Sequence, residues 1–229
     1  DILSQVPITG AVTYYDGLPL EGSSLTLSGD ESATATTSDN GSYSLLATVD
    51  GILQLSASMS NDPPVPGAVN VNDLSLTRRD ILGVASFDAP VKEIAADVNG
   101  SESVTINDIY VMRQYVLGIE NTFPRGLWEC IVKGSATANP IGYDTEYTYN
   151  PLASEQQGQD FFCFRTGDVD GSWSPSSGTA LAASSSASSM RLSMESKATQ
   201  DGNEVLVFVR AGQFDNIGGY QFTMEWDSE

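Results

Sequence analysis

The segments NDLSLTRRDILG (72–83) and NDIYVMRQYVLG (107–118) align without a gap at an offset of 35 residues. Asn72 matches Asn107, Asp73 matches Asp108, Arg78 matches Arg113, and Leu82-Gly83 matches Leu117-Gly118. A unit built twice constrains the fold more than any bulk property of the chain. After each Asn-Asp pair the apolar residues recur at helical spacing: Leu74, Ile81 and Leu82 in the first copy, and Ile109, Met112, Val116 and Leu117 in the second. Asn72 or Asp73, and Asn107 or Asp108, suit helix N-caps, and Gly83 and Gly118 suit left-handed helix ends. The repeat therefore predicts a loop followed by a helix of about three turns, twice.

The second loop, DVNGSESVTIND (97–108), carries oxygen ligands at alternate positions. Asp97, Asn99 and Ser101 stand at loop positions 1, 3 and 5. The backbone carbonyl of Ser103 follows at 7, Thr105 at 9 and Asp108 at 12. Alternate side chains converge on one point while the backbone turns around it, which is how a loop wraps Ca²⁺. Position 6, usually Gly, is Glu102, with Gly100 two places earlier. The other reading of 97–108 is a polar turn that caps a helix.

The first loop is poorer. It starts at Asp62 and ends at Asp73, but Pro64 and Pro66 at positions 3 and 5 offer no side-chain oxygen. The segment GDVDGS (167–172) is itself the opening of a calcium loop, with no helix after it. Asp168 and Asp170 are expected to fold back and complete the first site with Asp73 and Asn70; otherwise they form a solvated turn. The chain has 30 Asp and Glu against 10 Lys and Arg, a net charge of −20 over 229 residues. That balance attracts divalent cations or basic partners and argues against nucleic acid and anionic lipid. No run approaches the ~18 apolar residues that would span a bilayer, so no membrane insertion is expected.

Residues 7–58 alternate in short strand-like runs (ITGAVTYY, SSLTLSG, ATATTS, GSYSLLATV, ILQLSAS) with turn signals between them, an antiparallel sandwich pattern. Residues 121–171 return to strands around Cys130 and Cys163, which form either one disulfide, implying an oxidising compartment, or two buried thiols. A Ser- and Ala-rich linker covers 174–189, and 190–229 forms a last β segment. The expected fold is mainly β with a small α part. Residues 1–58 would be an Ig-like sandwich and 59–173 a calcium-binding loop-helix domain with extra strands. The chain opens without an initiator Met or a signal-like segment and is read as a mature or excised product.

The run from Gly10 through Gly17, Pro19, Gly22 and Gly41 to Tyr43 resembles the carboxypeptidase-regulatory-like and Cna-B-like Ig modules, which act as spacers, stalks and adhesive modules. Some relatives carry a Lys–Asn crosslink; residues 1–77 contain no Lys or Arg, which excludes it inside this module. The duplicated loop-helix with its closing GDVDG resembles a dockerin-type module, especially the variant in large secreted proteins of Bacteroidetes-like bacteria. Asp at loop position 12 fits that resemblance. The common dockerin partner is met by Ser-Thr at positions 10 and 11; Val71-Asn72 and Ile106-Asn107 stand there instead, so that partner class is not expected. The stretch VLVFVRAGQFDNIGGYQFTMEW resembles the opening strands of a cohesin-like domain, with Val205, Val207, Val209, Tyr220, Phe222 and Met224 as one apolar face. Those six are the expected interaction residues, since such strands could complete a sheet in a neighbouring molecule.

Without any His the chain has no Ser-His or Cys-His pair, and it has no phosphate-binding glycine loop, so no enzyme is expected. Trp128, Trp173 and Trp226 could stack on carbohydrate, or simply pack. Asn40, in an Asn-Gly-Ser turn, is a candidate glycan acceptor, and Asn99 is reserved for the loop. The expectation is an extracellular or cell-surface, calcium-stabilised structural subunit of a surface or filamentous assembly. It would self-associate or dock on another extracellular module. The alternatives are a dockerin-type anchor for an enzyme or adhesin, and a carbohydrate-binding module.

Overall fold

The computed structural model describes residues 4–60, 68–138, 140–173, 191–198 and 205–212. The chain divides into two compact units, Asp1–Thr179 and Ala180–Glu229, and is mainly β with a small α part.

The first unit opens with five strands where alternation calls for them: β1 (Gln5–Thr13), β2 (Ser24–Gly29), β3 (Ala33–Thr36), β4 (Ser42–Thr48) and β5 (Leu53–Ser58). In β4 the pattern is strict, with Tyr43, Leu45 and Ala47 buried between outward Ser42, Ser44 and Leu46. Three helices follow: α1 (Val71–Ile81), α2 (Pro90–Ala96) and α3 (Ile106–Val116). The strands then resume as β6 (Trp128–Val132), β7 (Thr137–Ala138), β8 (Ile141–Gly142), β9 (Glu146–Tyr149) and β10 (Phe161–Arg165).

Two four-stranded sheets, β4-β1-β10-β6 and β3-β2-β5-β9, hold one core between them. Ile8, Val12, Leu25, Leu27, Leu53, Leu55, Phe161 and Phe164 are fully buried there. Each large apolar side chain in that position contributes roughly 1.5–3 kcal/mol. The structure therefore corrects the expected boundary after residue 58. β9 pairs antiparallel with β5, and β10 pairs parallel with β1, so residues 128–165 complete both sheets of the N-terminal sandwich. The physical reason is edge satisfaction: β1 and β5 would otherwise each leave a row of unpaired backbone groups. The helices are an insertion in this sandwich rather than a separate module.

Gly10 shows how closely the late segment lies on β1. A Cβ there would stand 2.3 Å from the Gln159 carbonyl oxygen, so only glycine admits the strand. Cys163 and Cys130 face each other in register on β10 and β6 and are joined by a disulfide.

The duplication reappears in three dimensions. α1 and α3 span 11 residues each, both begin with a capping box, and their C-caps Leu82 and Leu117 share φ −81° and ψ −2°. Gly83 and Gly118 follow at φ +65° and +68°, the left-handed ends expected. The N-caps are Asn70 and Thr105, not the Asn-Asp pairs; Asp73 and Asp108 sit at N3, where each carboxylate accepts the backbone N–H of its N-cap. The helices meet over a small core of Val69, Val98, Met112 and Phe123. α2 was not foreseen. Its signal is Pro90 at the first helical turn, and its Ile94, Ala95 and Ala96 are fully buried.

In the second unit β11 (Arg191–Ala198) pairs antiparallel with β12 (Val205–Gly212). The expected strand at Val205, Val207 and Val209 lies in β12, and its partner precedes it in the chain. Tyr220, Phe222, Met224 and Trp226, like the linker 174–189, lie outside the described residues.

Candidate metal centre

Asp73 at the start of α1 and Asp168 and Asp170 just after β10 bring carboxylate oxygens within 4.8 Å of one another, in an arrangement that could hold a metal ion. Asp73 and Asp168 are fully buried. Among the described residues, no ion pair reaches any of the three. Burial, followed by the charges of Asp170 and Asp168, pushes the Asp73 carboxyl up to about 8. Burial likewise pushes Asp168 up to about 7, although a hydrogen bond from the Tyr14 hydroxyl works against that rise. Burial would raise Asp170 too, but hydrogen bonds with Asp168, Asn72 and Ser172 outweigh it and hold its carboxyl below the usual range. Three clustered carboxylates without a counter-charge are expensive to bury, and a bound cation removes that expense.

The loop 97–108 and this cluster share one hydrogen-bond plan. In the contiguous loop, Ser101 N–H donates to Asp97 Oδ1 (2.9 Å) and Asn99 Oδ1 (2.9 Å), and Glu102 N–H donates to Asp97 Oδ2 (2.9 Å). In the cluster, Ser172 N–H donates to Asp168 Oδ1 (3.1 Å) and Asp170 Oδ1 (3.0 Å), and Trp173 N–H donates to Asp168 Oδ2 (2.9 Å). Ser101 Oγ donates to the Ser103 carbonyl (3.1 Å), as Ser172 Oγ does to that of Ala68 (3.3 Å).

The second halves agree as well. Asn99 N–H reaches Asp108 Oδ1 at 3.3 Å, and Asp170 N–H reaches Asp73 Oδ1 at 3.3 Å. Thr105 N–H reaches Asp108 Oδ2 at 2.8 Å, and Asn70 N–H reaches Asp73 Oδ2 at 2.9 Å. Gly100 and Gly171, both at position 4, take φ +72° and +70°. Asp168, Asp170, Ser172, Ala68, Asn70 and Asp73 thus stand where Asp97, Asn99, Ser101, Ser103, Thr105 and Asp108 stand. It is one loop cut in two, with its halves from opposite ends of the helical insertion.

The structure brings Asn70, Asp73, Asp168 and Asp170 together, and Asp97, Asn99, Ser101, Ser103, Thr105 and Asp108 together. Asp62 lies outside the described residues. Ser172 stands at position 5 of the opening read from GDVDGS, whereas the Ala68 carbonyl was not singled out from the sequence, because a loop divided over about a hundred residues leaves no spacing to join its two halves. Glu102 adopts φ +62°, so position 6 takes the left-handed conformation even without glycine. Burial raises the Asp108 carboxyl above its ordinary value, while the donors Thr105 and Asn99 work against it. Both donor sets are carboxylate, amide, hydroxyl and carbonyl oxygen, which suits a hard cation.

Around the divided loop the aromatics are packed rather than displayed. Tyr14, Trp128 and Trp173 meet edge to face, with the Trp128 and Trp173 centroids 4.7 Å apart, and Trp173 is buried. Asn40 is exposed in its turn, its Oδ1 accepting from Ser38 Oγ (2.7 Å) and Ser42 N–H (3.0 Å). Among the described residues, no helix is long and apolar enough to cross a membrane.

No protein-family model matches the chain, and no curated protein matches it. One solved structure to which it is similar is the dioxygenase domain of a dioxygenase carbohydrate-binding protein fusion from the cellulolytic bacterium Streptomyces sp. SirexAA-E. Identity is 18% over 26% of this chain, the match spans 51% of that one, and the TM-score is 0.22. A likeness that partial carries no argument about this chain.

Proposed function

We propose that this chain is a non-catalytic, extracellular structural subunit whose sandwich and helical insertion are fastened together by Ca²⁺. The observation that carries the reading is the divided loop: residues 68–73 and 168–173 meet in the hydrogen-bond plan of the contiguous loop 97–108. Oxygen-only donors at alternate positions favour Ca²⁺ over softer metals. A cation there joins α1 to the end of β10, so binding free energy becomes folding free energy. The disulfide between Cys130 and Cys163 supports an oxidising location. The resemblance of the duplicated loop-helix to dockerins, and of 1–58 to Ig-like spacers, fits a role in extracellular assembly.

Joining by strand addition is supported by the β11–β12 pair, which has no third strand among the described residues. The second reading, an anchor that docks on another protein, is favoured by a different observation. Leu82 and Leu117, and Val84 and Ile119, are equivalent in the repeat, and all four are more than half exposed. Soluble surfaces rarely repeat such an apolar pattern without a partner.

The test is sedimentation and negative-stain microscopy of the full chain, metal-stripped and then in millimolar Ca²⁺. The structural reading expects ordered polymers that dissolve on stripping. A compact monomer in both states would remove the filament reading and leave the anchor.

A further inference from the structure

We infer that Arg125 makes the two loops unequal: its buried guanidinium occupies the cationic position beside the contiguous loop, so the divided loop takes divalent cation first and tightest. This rests on the calcium reading above and reverses the order that the sequence suggests, since 97–108 has the better loop motif.

One carboxylate oxygen distinguishes the two loops. Position 1 of each loop is an Asp whose Oδ2 accepts the position-6 N–H and also meets a side chain from outside the loop. At Asp97 that side chain is Arg125, with Nη1 at 3.8 Å. At Asp168 it is the neutral hydroxyl of Tyr14. Equivalent atoms therefore face a cation in one loop and an uncharged donor in the other.

Arg125 is fixed in place. Its side chain is only 6% exposed. Nη1 donates to the carbonyls of Ile94 (2.8 Å) and Asp97 (3.2 Å), and Nη2 donates to the Tyr143 hydroxyl (2.5 Å). The guanidinium carbon also lies 5.0 Å from the centre of the Tyr143 ring. Glu129 Oε2, 3.3 Å from Nε, takes up part of the charge, so the loop feels a partial rather than a full cation.

The carboxylates add to the contrast. Position 3 is Asn99 in the contiguous loop and Asp170 in the divided one. The divided loop gathers three carboxylates and meets no ion pair among the described residues. The contiguous loop offers Asp97 and Asp108, the first already paired. Affinity of such loops follows ligand charge. A charge or two more at contact distance in a partly buried site is worth on the order of 100-fold.

The test is calorimetric titration of CaCl₂ into the metal-stripped full chain and its variants. The wild type is expected to show two phases with dissociation constants about 100-fold apart. Asp170→Asn should weaken the tighter phase about tenfold. Arg125→Gln should tighten the weaker one about tenfold, and Asn99→Asp, which leaves the guanidinium untouched, should do the same if Arg125→Gln fails to fold. A tighter phase unmoved by Asp170→Asn would overturn the inference, as would a weaker phase indifferent to Arg125→Gln and Asn99→Asp. Absence of any Ca²⁺ binding by the wild type is a separate outcome, and it would overturn the calcium reading itself.

Discussion

Stripping the cation should invert the pH dependence of stability. Without metal, the folded state holds Asp73 with its carboxyl at about 8, against an ordinary value of 3.8 in the unfolded chain. Below the unfolded value both states are protonated and nothing is lost. As pH rises from about 4 to 8 the unfolded chain releases a proton that the folded chain retains, so stability falls across that window and levels off above it. For Asp73 alone, the difference at pH 8 corresponds to about 5 kcal/mol. Asp168, at about 7, acts in the same direction, but the two share one repulsion and do not add. Between pH 5 and pH 8 the Asp73 difference amounts to about 3.5 kcal/mol, and in a unit of this size 1 kcal/mol moves the Tm by about 2–4 °C, so metal-free protein should melt about 7–14 °C lower at pH 8 than at pH 5.

With the cation bound, the same carboxylates must be deprotonated, and the trend turns over: stability should rise through that window. Calorimetry on metal-stripped protein is the assay, in buffers that do not chelate and with no chelator present, because chelators weaken in acid. Metal-free protein that melts higher at pH 8 than at pH 5 would refute the reasoning, since it would mean the three carboxylates do not confront one another in the fold.

Other consequences can be measured on the same material. Glu102→Gly should relieve the left-handed strain at φ +62° and raise stability by up to about 1 kcal/mol in thermal melts, with the cation bound. Gly171→Ala should destabilise by about 1–3 kcal/mol and weaken Ca²⁺ binding. Its Cβ would stand 2.9 Å from the Tyr15 ring at a backbone φ of +70°, and urea denaturation with calcium titration would read both effects. Replacing Cys130 and Cys163 together by Ala opens a loop of 33 residues and should cost about 3–4 kcal/mol, seen as a lower urea midpoint with a steeper slope, because the uncrosslinked denatured chain exposes more surface.

Local features were legible in the sequence because local physics decides them. Alternation located β1 to β5 within a few residues, and the 35-residue repeat located α1 and α3. The opening Asp168-x-Asp170-x-Ser172 and the ligandless Pro64 and Pro66 together implied a site completed from afar. Partnership across the chain was not legible. The strand character of Phe161–Arg165 is plain, but nothing in it states that β1 is its neighbour, and the parallel pairing is decided by which edges the first five strands leave open. The N-caps were misplaced because Asn-Asp pairs look like caps, whereas here the Asp reaches back from N3. Arg125 sits 17 residues past Asp108, in no motif, and acquires its role only when Ile94, Tyr143 and Asp97 are folded around it.

The parallel neighbour of β1 has a mechanical consequence. Residues 156–162 run alongside β1 in the same direction, held by Gln156 N–H to Pro7 O (2.9 Å), Thr9 N–H to Gln156 O (2.8 Å), Gln159 N–H to Thr9 O (3.0 Å) and Ala11 N–H to Asp160 Oδ1 (2.9 Å). Tension applied before β1 and after Trp173 pulls these two parallel segments in opposite directions along their own length. The bonds are then loaded in shear and must yield together rather than peel one after another, and the divided loop lies in series just behind β10. A link in a load-bearing chain needs that geometry, and single-molecule pulling between residues 4 and 173 would read it as one high-force rupture that falls when Ca²⁺ is withdrawn.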